Sequence, residues 1–311
     1  MGEIATSPNP SHKQKSPSPK LVGMIVLVMF LWATCFPFIT LGIKDAPHLT
    51  FSTFRAVLSG SALLALALVL KRPMPRGTSV WALIVAIGLG ATTFGFFGMF
   101  HAAEFVAPGV ATVIANTQPL MAAVLAYLVL GETLKARAKV GLAIGFLGVA
   151  IIALPEIQAE QGSSYQMGVA YIVLAALGIT VSNVLIKKLG ARADLLAAMG
   201  WQMIIGSVPL GALALATEDV TSVVWSDRFI ISLMVLSLGG TALVYWLWSK
   251  ILQRIELTRA NAFSFLMPVF GVAMSVIIFG EGFGWMEIGG IIVCLAGIHL
   301  VNSSPTVSSR L

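Results

Sequence analysis

Two fifteen-residue stretches of this chain follow one pattern: QPLMAAVLAYLVLGE at residues 118–132 and MPVFGVAMSVIIFGE at residues 267–281. Each has a proline in its second position, an uncharged apolar run and a closing Gly-Glu pair. A shift of 149 residues aligns the two stretches, and it aligns further identities before and after them without a gap. Among these are Leu89, Gly90, Thr92, Ala111, Gly141 and Gly148, which fall on Leu238, Gly239, Thr241, Ala260, Gly290 and Gly297. The pattern predicts an internal repeat.

The whole chain is as apolar as these stretches. Of its 311 residues, 58% are hydrophobic and 10% are charged, and the mean hydropathy is +0.93. An ordinary soluble domain is about 25% charged, so this composition excludes a soluble enzyme, a nucleic-acid-binding protein and a disordered chain. A transmembrane helix needs about 20 apolar residues. Ten windows nearly free of charge provide them, at residues 22–43, 49–70, 79–103, 105–131, 140–155, 166–186, 195–217, 229–249, 260–280 and 284–302.

The basic residues predict an orientation. With a cytoplasmic amino terminus, 16 of the 19 Lys and Arg residues lie in cytoplasmic loops and tails, Lys44 and Arg228 lie outside, and Arg55 lies within the second span. Cytoplasmic loops of membrane proteins carry the excess of Lys and Arg. Both termini are therefore predicted to be cytoplasmic, as a disordered tail at residues 1–20 and a short tail at residues 303–311. The net charge of +6 then reflects topology, and no nucleic-acid partner is needed to explain it.

The repeat and the span count together predict the architecture. Five spans per unit is an odd number, so the unit at residues 166–302 is inverted relative to the unit at residues 21–156. Inverted repeats are typical of secondary transporters, whose substrate sites lie near the midplane between the repeats. We therefore predict an all-α polytopic membrane protein of ten transmembrane helices in two inverted five-helix repeats, which works by alternating access.

The two stretches, each followed by a glycine-rich span, resemble the EamA-type branch of the drug/metabolite transporter superfamily over residues 21–302. The resemblance implies a bacterial inner-membrane exporter of amino acids or related metabolites. The aromatic third and eighth spans of this chain are most similar to those of aromatic amino acid exporters. It also implies a central cavity between spans one to four and six to nine. A nucleotide-sugar or sugar-phosphate carrier, a cationic drug carrier and a passive channel are the alternatives.

Aromatic and hydroxyl side chains share one face of the eighth span. Thr241, Tyr245 and Trp248 recur at helical spacing, and such a face suits the binding of an aromatic side chain or an ammonium group. The alternative is an aromatic belt at the membrane interface. The repeat places Phe96 and Phe97 of the third span opposite Tyr245 and Trp246.

Other candidate substrate-binding residues lie at mid-depth in the remaining spans. They are Trp32 and Phe36 in the first span, Asn116 and Gln118 in the fourth, Asn183 in the sixth, and Asn261 and Ser264 in the ninth. Because proline removes a backbone donor, Pro119 and Pro268 predict kinks that act as movable gates. Structural hydrogen bonding between helices is the alternative for all the polar members of this set.

Two glutamates, one arginine, three glycines and two cysteines lead to further predictions. Glu132 and Glu281 are predicted to cap the helices that follow them, with gating through a basic partner such as Arg137 as the alternative. Arg55 is expected to extend toward the outer interface rather than to bind a substrate carboxylate. Gly141, Gly145 and Gly290 allow close helix packing, within one chain or in a homodimer. Cys35 and Cys294, both in apolar spans, are expected to be free thiols.

The sequence lacks features that would indicate ion coupling or catalysis. Coupled transporters commonly place carboxylates in the middle of their spans, and the sequence has none there, which predicts facilitated efflux without an obligatory coupling ion. HExxH, GxSxG and P-loop motifs are also missing. We therefore predict no enzyme activity, no cofactor and no metal.

Overall fold

The computed structural model describes residues 18–106, 111, 114–132, 134–159, 163–279 and 285–303. Across these residues the secondary structure is helical, and the loops between helices are short. We number the helices in chain order as α1 Pro19–Gly42, α2 His48–Val69, α3 Thr78–Ala102, α4 Gln118–Leu130, α5 Ala136–Ala159, α6 Ser163–Leu189, α7 Leu195–Thr217, α8 Asp227–Leu252, α9 Leu257–Ala262, α10 Leu266–Phe279 and α11 Trp285–Ser303.

Six helices of the described chain, α1, α2, α3, α6, α7 and α8, are long and apolar enough to cross a membrane. Two shorter apolar helices, Gln118–Leu130 and Ile288–Ser303, lie within the predicted fourth and tenth windows. A multi-pass membrane protein follows from these lengths and compositions. The number of crossings and the side of each terminus stay predictions.

The windows that contain Pro119 and Pro268 are not single helices. In the window at residues 105–131, the helix around Pro119 begins only at Gln118. In the window at residues 260–280, α9 and α10 are separated by a 3₁₀ turn at Phe263–Phe265, directly before Pro268. Each window therefore has a break between helices where a kink was predicted. The expected irregularity lies on the amino-terminal side of each proline, where the missing N–H and the ring disfavour a continuing helix.

Helices of the first half pack against helices of the second half. The pairs in contact are α2 with α7, α5 with α11, α3 with α6, α3 with α7, α2 with α8, α1 with α8, α1 with α10 and α4 with α6. Under the 149-residue repeat the α2–α7 and α5–α11 pairs map onto themselves, and each other pair has a partner pair. The α3–α7 contact, for example, corresponds to the α8–α2 contact. The core of the described chain thus lies between the halves, while large apolar side chains such as Leu68, Val69 and Leu215 face outward.

Glycines permit the closest of these contacts. A Cβ on Gly145 would lie 2.3 Å from the Phe265 ring, and one on Gly290 would lie 2.5 Å from Ile152 and 2.8 Å from the Gly148 carbonyl. A Cβ on Gly141 would meet Leu300 and Val301 of α11 at 2.9 Å. The three glycines of the predicted dimer surface therefore form contacts within this chain. A homodimer stays a prediction.

Candidate functional site

The helices α3 and α8 share an irregularity that the sequence pattern does not reveal. Both widen into π-helix, over Gly88–Phe94 in α3 and Val235–Leu243 in α8, at corresponding positions of the repeat. A π-helical segment often marks a functional site, because the extra residue per turn reorients side chains and backbone groups. The two segments carry Thr92 and Thr241, whose side chains are fully buried.

The two threonines, which the 149-residue shift aligns, each bond to the second span of the other half. Thr92 Oγ1 donates to Gln202 Oε1 of α7 at 2.9 Å, and Arg55 Nε of α2 donates to Thr241 Oγ1 at 2.8 Å. Arg55 and Gln202 each lie two helical turns into the second span of their half. Gln202 is not among the residues predicted from sequence, and the repeat did not point to it, because the 149-residue shift aligns Arg55 with Ile204.

Arg55 lies inside the bundle, so the prediction that it extends to the interface is wrong. The residue is 2% exposed. Its guanidinium carbon lies 4.5 Å from the centre of the Phe96 ring and 5.7 Å from that of Phe100, and Nη2 lies 3.3 Å from the Cys35 sulfur. Tertiary packing overrides the tendency of a long basic side chain to extend to water, because three other helices place a hydroxyl, a sulfur and aromatic faces around the guanidinium.

An aromatic cluster lies beside this arginine. Trp32 of α1 makes edge-to-face contacts with Tyr245 and Trp248 of α8, with ring centres 6.3 and 5.1 Å apart. Trp248 Nε1 donates to Asn183 Oδ1 of α6 at 2.9 Å. Trp248 is 1% exposed and Tyr245 is 5% exposed, so neither forms an interfacial belt. We name Trp32, Asn183, Tyr245 and Trp248 the aromatic cluster.

The remaining predicted residues lie on other elements. Phe97 stacks on His101 and contacts Tyr171 edge-to-face, away from the face that carries Phe96. Asn116 is buried just before α4, where Gln118 is half-buried, and the side chain of Phe36 lies outside the described residues. Asn261 Nδ2 donates to the carbonyl of Leu257 one turn earlier, and Ser264 is buried in the 3₁₀ turn.

At one end of the bundle a carboxylate joins the two halves. Glu132, after α4, accepts hydrogen bonds from Lys187 Nζ at 2.7 Å and from the backbone of Leu257 and Thr258, the first residues of α9. The glutamate therefore caps a helix of the other half, so the predicted capping of the following helix is wrong, and its basic partner is Lys187 in place of the suggested Arg137. Glu281 lies outside the described residues. A cavity of about 1020 Å³ lies beside this ion pair, lined by charged residues that include Lys188, Arg192, Arg254 and Glu256.

At the other end, Glu218 of the second half caps α2 of the first. Its carboxylate accepts from the backbone N–H of Leu49 and Thr50 at 2.9 and 2.8 Å. His48 Nδ1 lies 3.2 Å from Glu218 and 2.6 Å from Glu104, and His48 Nε2 lies 2.6 Å from His101 Nδ1. Ligand atoms of His48, His101 and Glu104 lie within 4.8 Å of one another, a spacing that a metal ion accepts.

Both native cysteines are free and buried, as predicted. Cys35 lies against Arg55 and the carbonyl of Gly240, and Cys294 lies against the carbonyl of Gly145. The thiols thus belong to the contacts between halves.

Known proteins resemble this chain in sequence and in fold. The EamA-like transporter family matches the chain twice, over residues 20–154 and 166–303. A WAT1-related chloroplast protein of Arabidopsis thaliana is 27% identical over 90% of this chain and 68% of its own. A protein of Salmonella typhimurium named "Probable amino-acid metabolite efflux pump" is 26% identical over 89% of this chain and 93% of its own. A solved crystal structure at 17% identity covers 91% of this chain and 97% of its own with a TM-score of 0.75, so the fold is shared.

Proposed function

The chain belongs to the EamA-like transporter family, and from that premise we propose that it exports amino acids, aromatic or otherwise neutral, and related small metabolites across the bacterial inner membrane. The aromatic cluster is the observation that supports this class of solute. Trp32, Tyr245 and Trp248 bring ring faces together inside the bundle, with the Asn183 amide beside them. Aromatic faces attract an ammonium group, and a few polar groups among apolar walls are typical of small-molecule sites. The Salmonella relative named for amino-acid metabolite efflux supports the same class.

The proposed architecture has ten spans in two inverted five-span units with cytoplasmic termini. Three observations support it. The basic residues divide 16 to 2 between the predicted sides. The family matches the chain twice. The contacts between halves include partner pairs such as α3–α7 and α8–α2, in which Thr92 bonds to Gln202 and Arg55 bonds to Thr241. The Glu132 end is then cytoplasmic and the Glu218 end faces outward.

The proposed mechanism is alternating access by rocking of the two halves. The breaks before Pro119 and Pro268 give α4 and α10 independent short segments that serve as gates. The carboxylates of Glu132 and Glu218 each join one half to the other at one end, so opening either end breaks one capping contact. Transport is facilitative in this proposal, since the acidic residues of the described chain lie at helix ends and in loops.

Counterflow in proteoliposomes tests the function. Vesicles loaded with one amino acid at a time should accumulate labelled solute saturably when the solute belongs to the transported class. Linear flux would favour a channel, and uptake that requires an imposed proton gradient would contradict facilitative transport.

Two substitutions test the site. Tyr245→Ala and Asn116→Ala should each lower flux about tenfold at normal membrane abundance, because a ring or an amide that contacts solute contributes about 1–2 kcal/mol. Tyr127→Ala is the control, since Tyr127 is 60% exposed on the outer surface of α4. Unchanged kinetics in both test variants would discard the proposed site.

A further inference from the structure

Arg55 is a buried cation whose donors are only partly used. Nε donates to the Thr241 hydroxyl, and Nη2 faces the Cys35 sulfur, which is a weak acceptor. Nη1 is buried without a hydrogen-bond partner. The side chain is 2% exposed, so bulk solvent does not reach the guanidinium.

The described chain supplies no counter-ion to this guanidinium. Its ion pairs involve His48, Arg72, Lys187, Arg228 and Arg259, and in each the carboxylate lies at a helix end or in a loop. Arg259, the other buried arginine of the described residues, is paired with Glu256 at 3.3 Å. Arg55 instead has the faces of Phe96 and Phe100.

A buried cation without an anion is costly, and arginine does not escape the cost by losing its proton. The ring faces offset part of that cost. Ionisable residues inside a membrane bundle are usually retained for function, with a partner that compensates their charge. Here the natural partner comes from outside the chain.

We infer that Arg55 binds the carboxylate of the transported solute through Nη1. The site is built for one negative charge. Nε and Nη2 are held by Thr241 and Cys35 from α8 and α1, which leaves the Nη1 side of the guanidinium for a carboxylate oxygen. Tyr245, one turn after Thr241 on α8, leads from the arginine to the aromatic cluster, where the side chain of an amino acid would lie.

The substrate class is therefore a solute that carries a carboxylate as well as an apolar or aromatic group. A single arginine suits a monoanion better than the dianionic phosphate of a sugar phosphate, for which a cluster of basic groups is expected. A purely cationic drug would be repelled by this guanidinium. The inference rests on the proposed function, from which it takes both the class of solute and the location of the site between the two halves.

The experiment compares an acid with its amide. Wild-type proteoliposomes are assayed with L-phenylalanine and with L-phenylalaninamide, which keeps the ring and the ammonium group but lacks the carboxylate. The wild type should transport the acid in preference to the amide. Arg55→Gln should raise KM for the acid about tenfold or more, the usual effect of losing a hydrogen bond between charged groups, and should change the flux of the amide less than threefold.

Arg228→Gln is the matched control, because Arg228 is an exposed arginine paired with Asp45 at the start of α8. Its KM values should equal those of the wild type. Arg55→Lys should recover part of the preference for the acid. Equal loss of acid and amide transport in Arg55→Gln, or no loss of either, would overturn the inference.

A binding measurement separates this inference from the proposed function. In detergent, sodium benzoate should raise the thermal midpoint of the wild type above the value in benzamide with sodium chloride, and Arg55→Gln should lose that difference. Stabilisation by benzoate without any amino acid flux would leave the carboxylate site standing and contradict the exporter. Amino acid flux without a preference for acids over amides in the wild type would support the exporter and contradict the carboxylate site. This comparison uses only the wild type, so it holds even if Arg55→Gln does not fold.

Discussion

Buried polar side chains of this protein bond across helices. Trp248 donates to Asn183, Thr92 to Gln202 and Arg55 to Thr241, and each bond joins two different helices. An unsatisfied polar group costs more in an apolar interior than a neutral hydrogen bond contributes in water. These bonds therefore select the rotation of each helix about its axis, and they decide which residues of α3, α6, α7 and α8 face one another.

Asp45 provides a pH-dependent contact outside the spans. It accepts hydrogen bonds from the Arg228 guanidinium and from Ser226, and these bonds lower the pKa of Asp45 to about 2. An unfolded aspartate has a pKa near 4. A lowered pKa stabilises the folded state at pH values above the unfolded pKa, and this contribution is lost as the pH falls through about 2.

We therefore expect Asp45→Asn to lower the thermal midpoint by a constant amount from pH 7 to about pH 5, and the difference from wild type to vanish between about pH 4 and pH 2. Thermal unfolding in detergent over this range measures it. Asp227→Asn, which removes a carboxylate next to Arg228 but not its partner, is the control. A difference that persists unchanged at pH 2 contradicts the assignment.

Whole helices meet through glycines in this structure. Gly148 and Gly290 bring α5 and α11 so close that a Cβ on Gly148 would lie 2.5 Å from the Cys294 nitrogen. Between helices in lipid, where no hydrophobic force favours association, such close packing and the dispersion contacts it permits are the main attraction. The pattern of small residues therefore decides which helices become neighbours.

Two adjacent glycines of α11 test this packing. Gly290→Ala should destabilise the protein by about 1–3 kcal/mol, because the added methyl meets Ile152 and the Gly148 carbonyl. Gly289→Ala should be neutral or slightly stabilising, since nothing lies within 4 Å of its added Cβ and alanine favours helix. Thermal unfolding of the two variants measures this difference in stability. Equal effects would mean that α5 and α11 do not pack through this face.

At the scale of the molecule, the contacts between halves come in related pairs. Gly88 of α3 packs against Gly206 of α7, while Ser59 of α2 donates to the Ser237 carbonyl of α8, and the 149-residue shift aligns Gly88 with Ser237. Two inverted halves of the kind proposed would have two arrangements of similar free energy, each the image of the other. This equivalence is the physical basis of the proposed alternating access.

Thiol labelling tests the proposed topology. In right-side-out vesicles, a membrane-impermeant maleimide should label Lys44→Cys at once and Arg254→Cys only after permeabilisation, since both positions are exposed at opposite predicted sides. The wild type is the control, because Cys35 and Cys294 are buried. Labelling of both variants from the same side would contradict the inverted repeat.

Much of the fold was predictable from composition and spacing. Apolar windows locate α1, α2, α3, α6, α7 and α8, because a membrane helix must satisfy its backbone internally and present apolar side chains to lipid. The helix breaks near Pro119 and Pro268 were predictable in kind, since proline lacks a donor. Their form was not: neighbouring helices determine whether a chain kinks or begins a new helix after a turn.

The candidate site was predictable in part. Trp32, Asn183, Tyr245 and Trp248 were identified by residue type and depth, and the structure brings them together. Arg55 was misplaced, because snorkelling and burial depend on what other helices provide. Phe97 was predicted because the repeat aligns it with Trp246, yet successive residues of a helix point about 100° apart, and Phe97 faces His101 and Tyr171 instead.

The amino-acid sequence by itself determined the membrane class, the repeat and the distribution of charge, because these depend on composition and on one-dimensional order. Only the tertiary structure decided which side chains meet: Glu132 with a helix of the other half, Glu218 with the start of α2, and Arg55 with Thr241 and Phe96. The reason is physical. Hydropathy acts on each segment alone, whereas the pairing of buried polar groups depends on the relative rotation and approach of helices far apart in the chain.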